Sequence, residues 1–372
     1  MSKKVLIVLN SSWYAYTFRM SLARFLTSIG YHVSFAADAD GVYDEKIKQE
    51  FSFYPIPVDA KGLNPLRDTK TILKILNLYR KVKPHIVLTF TIKPNIYSPL
   101  CSSLLRIPSI ANITGLGTVF IKETLFSKIV RRLYRLSLAL TTKVFFQNND
   151  DRTLFHEKSL IELGKTDLLP GSGVDIKKFD FTELDNRENN NLRFLLIARV
   201  IKDKGIFEYI EAIRIVKQKY PEVKFFILGE LNVANRTAIS KDKVHEWEQE
   251  GLIEHLGLTE DVASEIKKVD CVVLPSYREG TPRSLLEAAS MGRPIVTTDV
   301  PGCREVVDDH YNGFLCEAKN GKDLADKLIR MIDIGHDKRA ELGKNSRSKI
   351  ENCFREEIVF NKYKDALEEF LQ

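Results

Sequence analysis

The chain has 372 residues, of which 44% are hydrophobic and 28% charged, and its formal net charge is +6. This length exceeds what one hydrophobic core usually serves, so two domains are expected. The composition gives no reason to expect long disorder, and the mild positive charge does not indicate nucleic acid. The five cysteines lack a metal-type spacing and no apolar run is long enough to span a bilayer, so we expect a cytoplasmic protein with reduced thiols.

Strands and helices alternate through the first half of the chain. Buried strands are predicted at residues 4–9, 32–37, 51–58, 86–90, 109–113, 143–146 and 167–169, and helices at 18–29 and 65–82. This alternation predicts a parallel, doubly wound α/β sheet. The triplet Asp38-Ala39-Asp40 lies at a strand–helix junction, where it is interpreted as a turn and helix cap, and no metal site is predicted.

A polar run without periodicity, residues 175–191, interrupts the pattern and is predicted to be a linker. A second set of strands follows at residues 194–197, 223–228, 253–256, 271–274, 294–298 and 313–316. The chain then ends in helices from residue 322. Two α/β domains of similar architecture are therefore expected.

The most informative stretch begins at the apolar strand 271–274. A polar turn follows this strand, and Thr281 and Pro282 are suited to be the N-cap and first residue of the next helix. The loop therefore lies at the carboxyl end of a parallel strand, where open α/β sheets bind their ligands.

Three features of this stretch, a phosphate site and two carboxylates, indicate a nucleotide-sugar site. The helix start suits a phosphate, and Gly280 allows the ligand to approach the backbone closely. Glu287, about two turns into the helix, is a natural acceptor for two ribose hydroxyls. Glu279 lies outside the helix, nearer to whatever extends beyond the phosphates.

A second anion site is predicted in the same domain. Arg199 follows the strand 194–197, and Lys204 precedes the next helix. Two cations beside a strand end and a helix start suit a diphosphate, since charge-assisted hydrogen bonds are strong. The first and fourth strand tips of a doubly wound domain can lie side by side, which would join this site to the first.

The run Glu-Gly-x-Pro-x-x-x-Leu-Glu-Ala, residues 279–288, resembles the signature of the large retaining glycosyltransferase family GT4. The resemblance implies the GT-B fold: two Rossmann-like doubly wound domains facing across a cleft, with a C-terminal helix crossing back. The domains would be residues 1–174 with helix 354–372, and residues 192–353. It also implies a UDP-sugar as donor substrate, no cofactor, and Glu279, Arg199 and Lys204 as catalytic residues. The donor would also contact Gly280, Thr281, Pro282 and Glu287.

Three segments of the first domain predict the acceptor site: residues 12–20, 91–97 and 113–120. Each lies at or after a strand end, and together they contain Arg19, Lys93, Asn95, Gly115 and Gly117. Two cations with close backbone approach suit an anionic acceptor such as a second diphosphate. The alternative is that these are ordinary helix-capping loops.

One feature departs from the family pattern. Many members carry a histidine after the strand that corresponds to residues 109–113, where this chain has Thr114. The residue that orients the donor sugar therefore stays unassigned. His255, in the region expected to line the base, is interpreted as structural.

The segment 120–143 is basic and amphipathic, which indicates contact with an anionic membrane surface. The alternative is a core helix with a basic solvent face. The first domain also resembles the subgroup that extends sugars on undecaprenyl diphosphate, in bacterial N-glycan and O-antigen assembly. This implies a polyprenyl-diphosphate-linked acceptor, transfer of an N-acetylhexosamine such as GalNAc, and a peripheral location on the inner face of the cytoplasmic membrane.

Two other functions remain open at this point. A GT-B sugar epimerase would need additional acid–base side chains, and no obvious set is present. A non-catalytic nucleotide-sugar-binding subunit would keep the phosphate and ribose residues and lack turnover. The missing histidine is the only feature that favours this second alternative.

Overall fold

The computed structural model describes residues 2–59, 64–116, 125–231, 233 and 235–371. The chain forms two compact units. The first unit contains the residues up to Ser172 together with those from Glu357 onward, and the second is Gly173–Glu356.

The first unit is built on a parallel sheet. Its elements are β1 (Lys4–Val8), α1 (Ser12–Ser28), β2 (His32–Ala37), α2 (Tyr43–Lys48), β3 (Ser52–Pro55), α3 (Pro65–Val82), β4 (Ile86–Phe90), α4 (Ile92–Leu104), β5 (Ser109–Ile113), α5 (Leu125–Leu140), β6 (Lys143–Phe146), α6 (Asn149–Glu157) and β7 (Thr166–Leu168). The strand order is β3-β2-β1-β4-β5-β6-β7. Hydrophobic clusters cover both faces of the sheet, as a parallel sheet requires.

The second unit repeats this architecture. Its elements are β8 (Arg193–Ile197), α7 (Ile206–Lys219), β9 (Lys224–Leu228), α8 (Lys241–Gln249), β10 (Glu254–His255), α9 (Val262–Lys267), β11 (Cys271–Leu274), α10 (Arg283–Ser290), β12 (Ile295–Thr298), β13 (Gly313–Cys316), α11 (Gly321–Asp333) and α12 (Gly335–Cys353). The strand order is β10-β9-β8-β11-β12-β13, again all parallel. The prediction of two doubly wound α/β domains is confirmed.

The last helix, α13 (Glu356–Phe370), packs on the first unit although it follows the second in sequence. Val359, Tyr363 and Leu367 are buried in the same cluster as residues of β1 and β4. The Nδ2 of Asn112 in β5 donates a hydrogen bond to the Tyr363 hydroxyl at 2.8 Å. The expected return of the C-terminal helix to the first domain is therefore confirmed.

Helix α1 begins six residues earlier than the sequence pattern predicts. The Ser11 side chain accepts a hydrogen bond from the Tyr14 N–H at 3.2 Å and caps the helix at Ser12. Residues 12–20 are therefore helical and do not form a loop after β1. The pattern was missed because aromatic residues fill the first turns, where an apolar stripe of helical period is hard to see.

Residues 175–191, predicted to be a linker, lie within the second unit. Phe179 is buried among the residues of β11, α10 and α12, and the Arg187 guanidinium lies 2.9 Å from the Asp270 carboxylate. The segment is irregular in conformation but anchored by these two contacts. The polar sequence without periodicity correctly predicted an irregular backbone. It did not predict that the segment packs against the second unit.

The Asp38-Ala39-Asp40 triplet forms a turn before α2, as predicted, but the N-cap position itself is Val42. The Asp40 carboxylate accepts hydrogen bonds from the N–H groups of Val42 and Tyr43, at 2.9 and 2.7 Å, at the start of α2. Burial is the largest cause that raises the pKa of Asp38, followed by the neighbouring Asp40 charge.

Each sheet has one point at which the strand order reverses. It lies between β1 and β4 in the first unit and between β8 and β11 in the second. The loops after such strands leave in opposite directions and open a crevice at the carboxyl edge of the sheet, which is the usual ligand position in this architecture.

Candidate functional site

The predicted donor residues converge at the reversal point of the second sheet. Strands β8 and β11 are parallel neighbours, with Leu196 opposite Val273. The loops that carry Arg199 and Glu279 therefore leave the sheet side by side. The two motifs are about 80 residues apart in sequence, and strand pairing unites them at one edge.

Lys204 and Glu279 form an ion pair in which the ammonium contacts Oε1 directly. Both side chains are mostly buried. The Ser276 hydroxyl donates a second hydrogen bond to the same carboxylate oxygen at 2.6 Å. The Glu279 N–H is bonded to the Pro301 carbonyl at 3.1 Å. Glu279 is thus held at its backbone and at its side chain.

Gly205 sets the approach of the Lys204 loop to β11. Its φ is +73°, and a Cβ at this position would lie 1.9 Å from the Pro275 carbonyl oxygen. A side chain would therefore be strained in backbone conformation and would also collide with the neighbouring strand end. Only glycine permits the two loops to pack this closely.

The helix after the Glu279 loop starts one residue later than predicted. Thr281 is not its N-cap; instead, Pro282 flanks the helix with ψ at 114°, and α10 begins at Arg283. The Pro282 carbonyl accepts the first helical hydrogen bonds, from Leu285 and Leu286. Proline restricts φ but leaves ψ extended here, so it precedes the first helical turn. The helix start still follows Gly280 and Thr281 directly.

Glu287 is buried on α10 and forms a 2.8 Å ion pair with Arg283, one turn earlier. Burial raises the pKa of Glu287, and the Arg283 charge opposes that rise. A buried carboxylate with one cationic partner still has acceptor capacity for other donors. This is the property that a ribose-binding carboxylate needs.

Arg199 differs from the other predicted donor residues because it is exposed. Its backbone carbonyl accepts a hydrogen bond from the Ile201 N–H at 2.8 Å, which forms a tight turn after β8. Within the described residues, its guanidinium makes neither a hydrogen bond nor an ion pair. The cation is therefore available at the rim of the site, where an anionic ligand could recruit it.

The interpretation of His255 as structural is consistent with its contacts. Its Nε2 lies 2.8 Å from the Gly229 carbonyl, and its backbone N–H donates to Glu248 at 3.0 Å. The ring bond ties β10 to the end of β9, and the backbone bond ties it to α8.

The predicted acceptor residues lie in the first unit, and their cations are engaged. Arg19 is buried, and its guanidinium lies over the Phe90 ring, 4.1 Å from the ring centre. Lys93 forms a 2.7 Å ion pair with the buried Asp68. Asn95 accepts from the Thr89 hydroxyl at 2.7 Å and donates to the Asn112 carbonyl at 2.8 Å. Gly115 has a φ of +134°, and Gly117 lies outside the described residues.

Sequence reasoning missed three residues that contact or lie beside the predicted donor residues. Arg283 precedes Glu287 by four residues, a spacing at which opposite charges lie next to each other on a helix. This ion pair could therefore have been predicted from the sequence. Ser276 and Gly302 gave no comparable signal. A Cβ on Gly302 would lie 2.4 Å from the Gly280 carbonyl oxygen, a contact that only the folded chain reveals.

No group of three or more histidine, cysteine, aspartate or glutamate side chains suited to a metal ion occurs in the part of the chain that the structure describes. The charged groups of the site are instead arranged as cation–carboxylate pairs beside a helix start.

Two family descriptions match the chain. Residues 178–349 match "Glycosyl transferases group 1", and residues 4–148 match "Glycosyl transferase 4-like". Together they cover both units, and the predicted donor residues lie within the first match.

Two similar proteins are also named as glycosyltransferases. A diacetylbacillosaminyl-diphospho-undecaprenol α-1,3-N-acetylgalactosaminyltransferase of Campylobacter jejuni is 28% identical, over 73% of this chain and 74% of that protein. A UDP-Gal:α-D-GlcNAc-diphosphoundecaprenol α-1,3-galactosyltransferase of Escherichia coli is 25% identical, over 93% and 92%. The crystal structure of Anabaena HepE with UDP and glucose superposes with a TM-score of 0.80 at 18% identity, covering 99% of this chain and all of that one.

The close approach at Gly205 leads to a test of the donor site. We expect Gly205→Ala to destabilise the protein and to weaken UDP binding, because the Cβ would push the Lys204 loop away from the end of β11. Gly251→Ala is the matched control, since Gly251 has a similar φ of +69° with open space around its Cβ position. The control should cost about 1–2 kcal/mol for backbone strain alone. Chemical denaturation and UDP titration measure both effects, and equal losses in the two variants would contradict the argument.

The raised pKa of Glu287 predicts that this residue lowers the stability of the ligand-free protein. Its ionised form is disfavoured in the folded chain, so this residue reduces stability as pH rises from the ordinary value of 4.5 through the raised pKa. Glu287→Gln should therefore raise the melting temperature of the ligand-free protein at pH 7 and weaken UDP binding. The difference in melting temperature should shrink below pH 4.5. The exposed Glu341→Gln should change neither quantity, and a lower melting temperature for Glu287→Gln would refute the prediction.

Proposed function

The chain belongs to the group 1 glycosyltransferases with the GT-B fold, and from this we propose that it is a retaining, metal-independent transferase. It moves a sugar from a UDP-sugar to a sugar on undecaprenyl diphosphate and needs no cofactor. The sugar moved is an N-acetylhexosamine, such as GalNAc. The pathway is the assembly of a bacterial surface polysaccharide or glycan, in keeping with the named relatives.

The observation that carries the donor half of this proposal is the convergence at the edge of β8 and β11. Lys204 and Glu279 form an ion pair there, and Arg199 lies exposed in the loop after β8. Helix α10 begins a few residues beyond Glu279 and carries the buried Glu287. Cations beside a helix start suit the diphosphate, and a buried carboxylate suits the ribose. The HepE structures, which carry UDP by their titles, support the choice of nucleotide.

The paired state of Lys204 is compatible with a role on the diphosphate. An ammonium has three N–H donors, so it can keep Glu279 and still reach a phosphate oxygen. Arg199 adds a second cation from the rim. Each charge-assisted bond contributes about 1.5–3 kcal/mol, and these bonds strengthen as charge builds on the departing diphosphate.

Glu279 acts next to the diphosphate as the carboxylate that contacts the hydroxyls of the donor sugar. Ser276 and Lys204 fix its orientation before the ligand arrives, which reduces the entropy lost on binding. In a retaining reaction of this type, the leaving diphosphate takes the proton of the acceptor hydroxyl on the same face of the sugar. The protein then supplies positioning and charge stabilisation, and a separate base is not required.

Helix α5 provides the membrane contact in this proposal. Its buried side carries Val130, Tyr134 and Leu138, as the alternative of a core helix requires. Its other side exposes Ile129 by 45%, Leu136 by 56% and Leu140 by 46%, interleaved with the exposed cations Lys128, Arg132 and Arg135. Apolar side chains among cations match the headgroup region of an anionic bilayer. Residues 120–124 of the basic segment lie outside the described residues.

None of the described helices has the length and hydropathy of a membrane span. The exposed side of α5 is the surface by which we propose that the chain meets its lipid-linked acceptor. The location follows from that: the inner face of the bacterial cytoplasmic membrane, where UDP-sugars are present.

The function is tested by mass spectrometry of a reaction. The purified protein is mixed with a short-chain polyprenyl-diphosphate N-acetylhexosamine and a panel of UDP- and GDP-sugars. We expect one added sugar on the lipid, from a UDP-sugar, with the anomeric configuration of the donor retained and turnover unchanged by EDTA.

Variants separate this function from its alternatives. Glu279→Ala should lower kcat by about 10²-fold or more while UDP affinity changes little. Lys204→Ala should lower both kcat and UDP affinity. Lys202→Ala, an exposed neighbour, serves as the control. Release of free epimerised sugar without an acceptor would favour an epimerase. UDP binding without turnover in any assay would favour a non-catalytic subunit.

Membrane contact is tested by co-sedimentation with vesicles. The double variant Lys128→Glu/Arg132→Glu should lose most binding to vesicles of anionic lipid, because each cation near the surface contributes about 1 kcal/mol. Lys70→Glu/Lys74→Glu makes the same charge change on the exposed side of α3 and should bind as the wild type does. Binding should also fall with added salt. Equal loss in both double variants would mean that net charge alone drives the contact.

A further inference from the structure

Tyr277 lies two residues before Glu279 and connects the two loops of the predicted donor site. Its backbone N–H donates a hydrogen bond to the Asp203 carbonyl at 3.0 Å. Its hydroxyl donates a second hydrogen bond to the Oε1 of Glu208 at 2.8 Å. Asp203 directly precedes Lys204 in the sequence, and Glu208 lies in the first turn of α7. One tyrosine therefore holds the chain on both sides of Lys204.

Few residues separate the two points that Tyr277 holds. Only residues 204–207 lie between them, and within this short segment Gly205 packs against the Pro275 carbonyl at the end of β11. The backbone of Lys204 therefore has little freedom to move relative to the Glu279 loop. The contact between the Lys204 ammonium and the Glu279 carboxylate depends on this backbone geometry, which Tyr277 fixes from the side of β11.

The carboxylate of Glu208 carries a free-energy cost that packing alone does not explain. Its second oxygen, Oε2, is buried and has no hydrogen-bond partner within the described residues. A buried, incompletely paired carboxylate destabilises the folded state, and an apolar side chain of similar volume would avoid that cost. A negative charge is favourable in the first turn of a helix, but that interaction requires no tyrosine. The feature that remains is the directional hydrogen bond from Tyr277.

The side chain of Tyr277 is held at its hydroxyl and at its ring. Burial raises the pKa of the hydroxyl, and the hydrogen bond to Glu208 and the charges of Glu208 and Asp203 raise it further. The hydroxyl therefore keeps its proton at working pH and stays a donor. The Lys319 ammonium, from the loop after β13, lies over the ring at 5.1 Å from its centre.

A bond of the same chemistry occurs at the opposite end of α7. Tyr220 directly follows this helix, and its hydroxyl donates to the carboxylate of Asp333 at the end of α11. A helix rises about 1.5 Å per residue, so about 18 Å separate Glu208 from Tyr220 along α7. Tyr220 and Asp333 therefore provide a matched tyrosine–carboxylate pair on the same helix, away from the predicted donor residues.

We propose that Tyr277 and Glu208 are positioning residues for the transfer reaction. They hold the Lys204 ammonium where it contacts Glu279 and can also reach the departing diphosphate. They act through Lys204 and do not touch the substrate themselves. The inference rests on the proposed function, because it takes the diphosphate of a UDP-sugar as the ligand of Lys204. It adds to the donor site two residues that lie outside the motif 279–288.

Steady-state kinetics and UDP titration with matched variants test this role. Tyr277→Phe removes the hydroxyl, and Glu208→Leu removes the carboxylate. Glu208→Gln removes the charge but keeps an oxygen that can accept the hydrogen bond. Tyr220→Phe is the control, because it removes the matched hydroxyl at the other end of α7. The acceptor is a short-chain polyprenyl-diphosphate N-acetylhexosamine, and melting temperatures show that each variant is folded.

We expect Tyr277→Phe and Glu208→Leu each to lower kcat and UDP affinity roughly three- to tenfold, the effect of one lost hydrogen bond. The KM of the acceptor should not change. The double variant Tyr277→Phe/Glu208→Leu should lose no more than either single variant, because both changes remove the same bond. Glu208→Gln should retain most of the wild-type kcat, and Tyr220→Phe should retain all of it.

Three results would overturn the proposal. The first is unchanged kcat and UDP affinity in Tyr277→Phe. The second is an equal loss in Tyr220→Phe, which would indicate a general effect on the stability of α7. The third is a Glu208→Gln variant as impaired as Glu208→Leu, which would assign the effect to charge at the helix start and not to the hydrogen bond.

A measurement on the ligand-free protein separates this proposal from the function on which it rests. NMR of isotope-labelled lysine should detect the ion-paired Lys204 ammonium, and the loss of that signal in Lys204→Ala assigns it. Tyr277→Phe should shift or broaden the signal, and Tyr220→Phe should leave it unchanged. If the wild type transfers no sugar, the proposed function fails, and the NMR result still decides whether Tyr277 positions Lys204. If transfer occurs and the signal and kinetics of Tyr277→Phe match the wild type, the positioning role alone is refuted.

Discussion

The parallel pairing of β8 with β11 is the constraint on which the predicted donor site depends. It brings together two loops that are about 80 residues apart, one with two cations and one with a carboxylate and a helix start. Gly205 is required at their contact because a single Cβ there would occupy the space of the Pro275 carbonyl. The ion pair between Lys204 and Glu279 therefore depends on close packing of the two loop backbones.

Both glutamates of the motif are already paired in the ligand-free chain, Glu279 with Lys204 and Glu287 with Arg283. A cationic partner offsets part of the free-energy cost of burying a carboxylate. The ligand therefore meets charges whose positions are set and whose remaining donors and acceptors face new partners. The raised pKa of Glu287 shows that this compensation is incomplete, as is common where a site is built for a ligand and not for stability.

The first unit uses the same sheet topology with different chemistry at its reversal point. Its cations are engaged with Asp68 and with the Phe90 ring, while neutral side chains are left with unpaired acceptors. Helix α13 contributes to this arrangement, because Tyr363 accepts the amide hydrogen of Asn112 and leaves its Oδ1 unpartnered. The two equivalent edges thus differ: the second unit has the Lys204–Glu279 ion pair beside a helix start, and the first has the strained backbone of Thr91.

The sequence by itself determined the α/β class and most strand positions, because buried strands and helix starts are local patterns. Helix α3 and strands β4, β5, β6, β11 and β13 have the predicted bounds. Tertiary structure alone decided that Ser276 holds Glu279, that residues 175–191 are anchored by Phe179, and that Lys93 is neutralised by Asp68. These outcomes depend on contacts between elements, chiefly burial and the charge of distant partners. The sequence does not show whether a cation is already paired. Only the folded structure shows which carboxylate lies next to it.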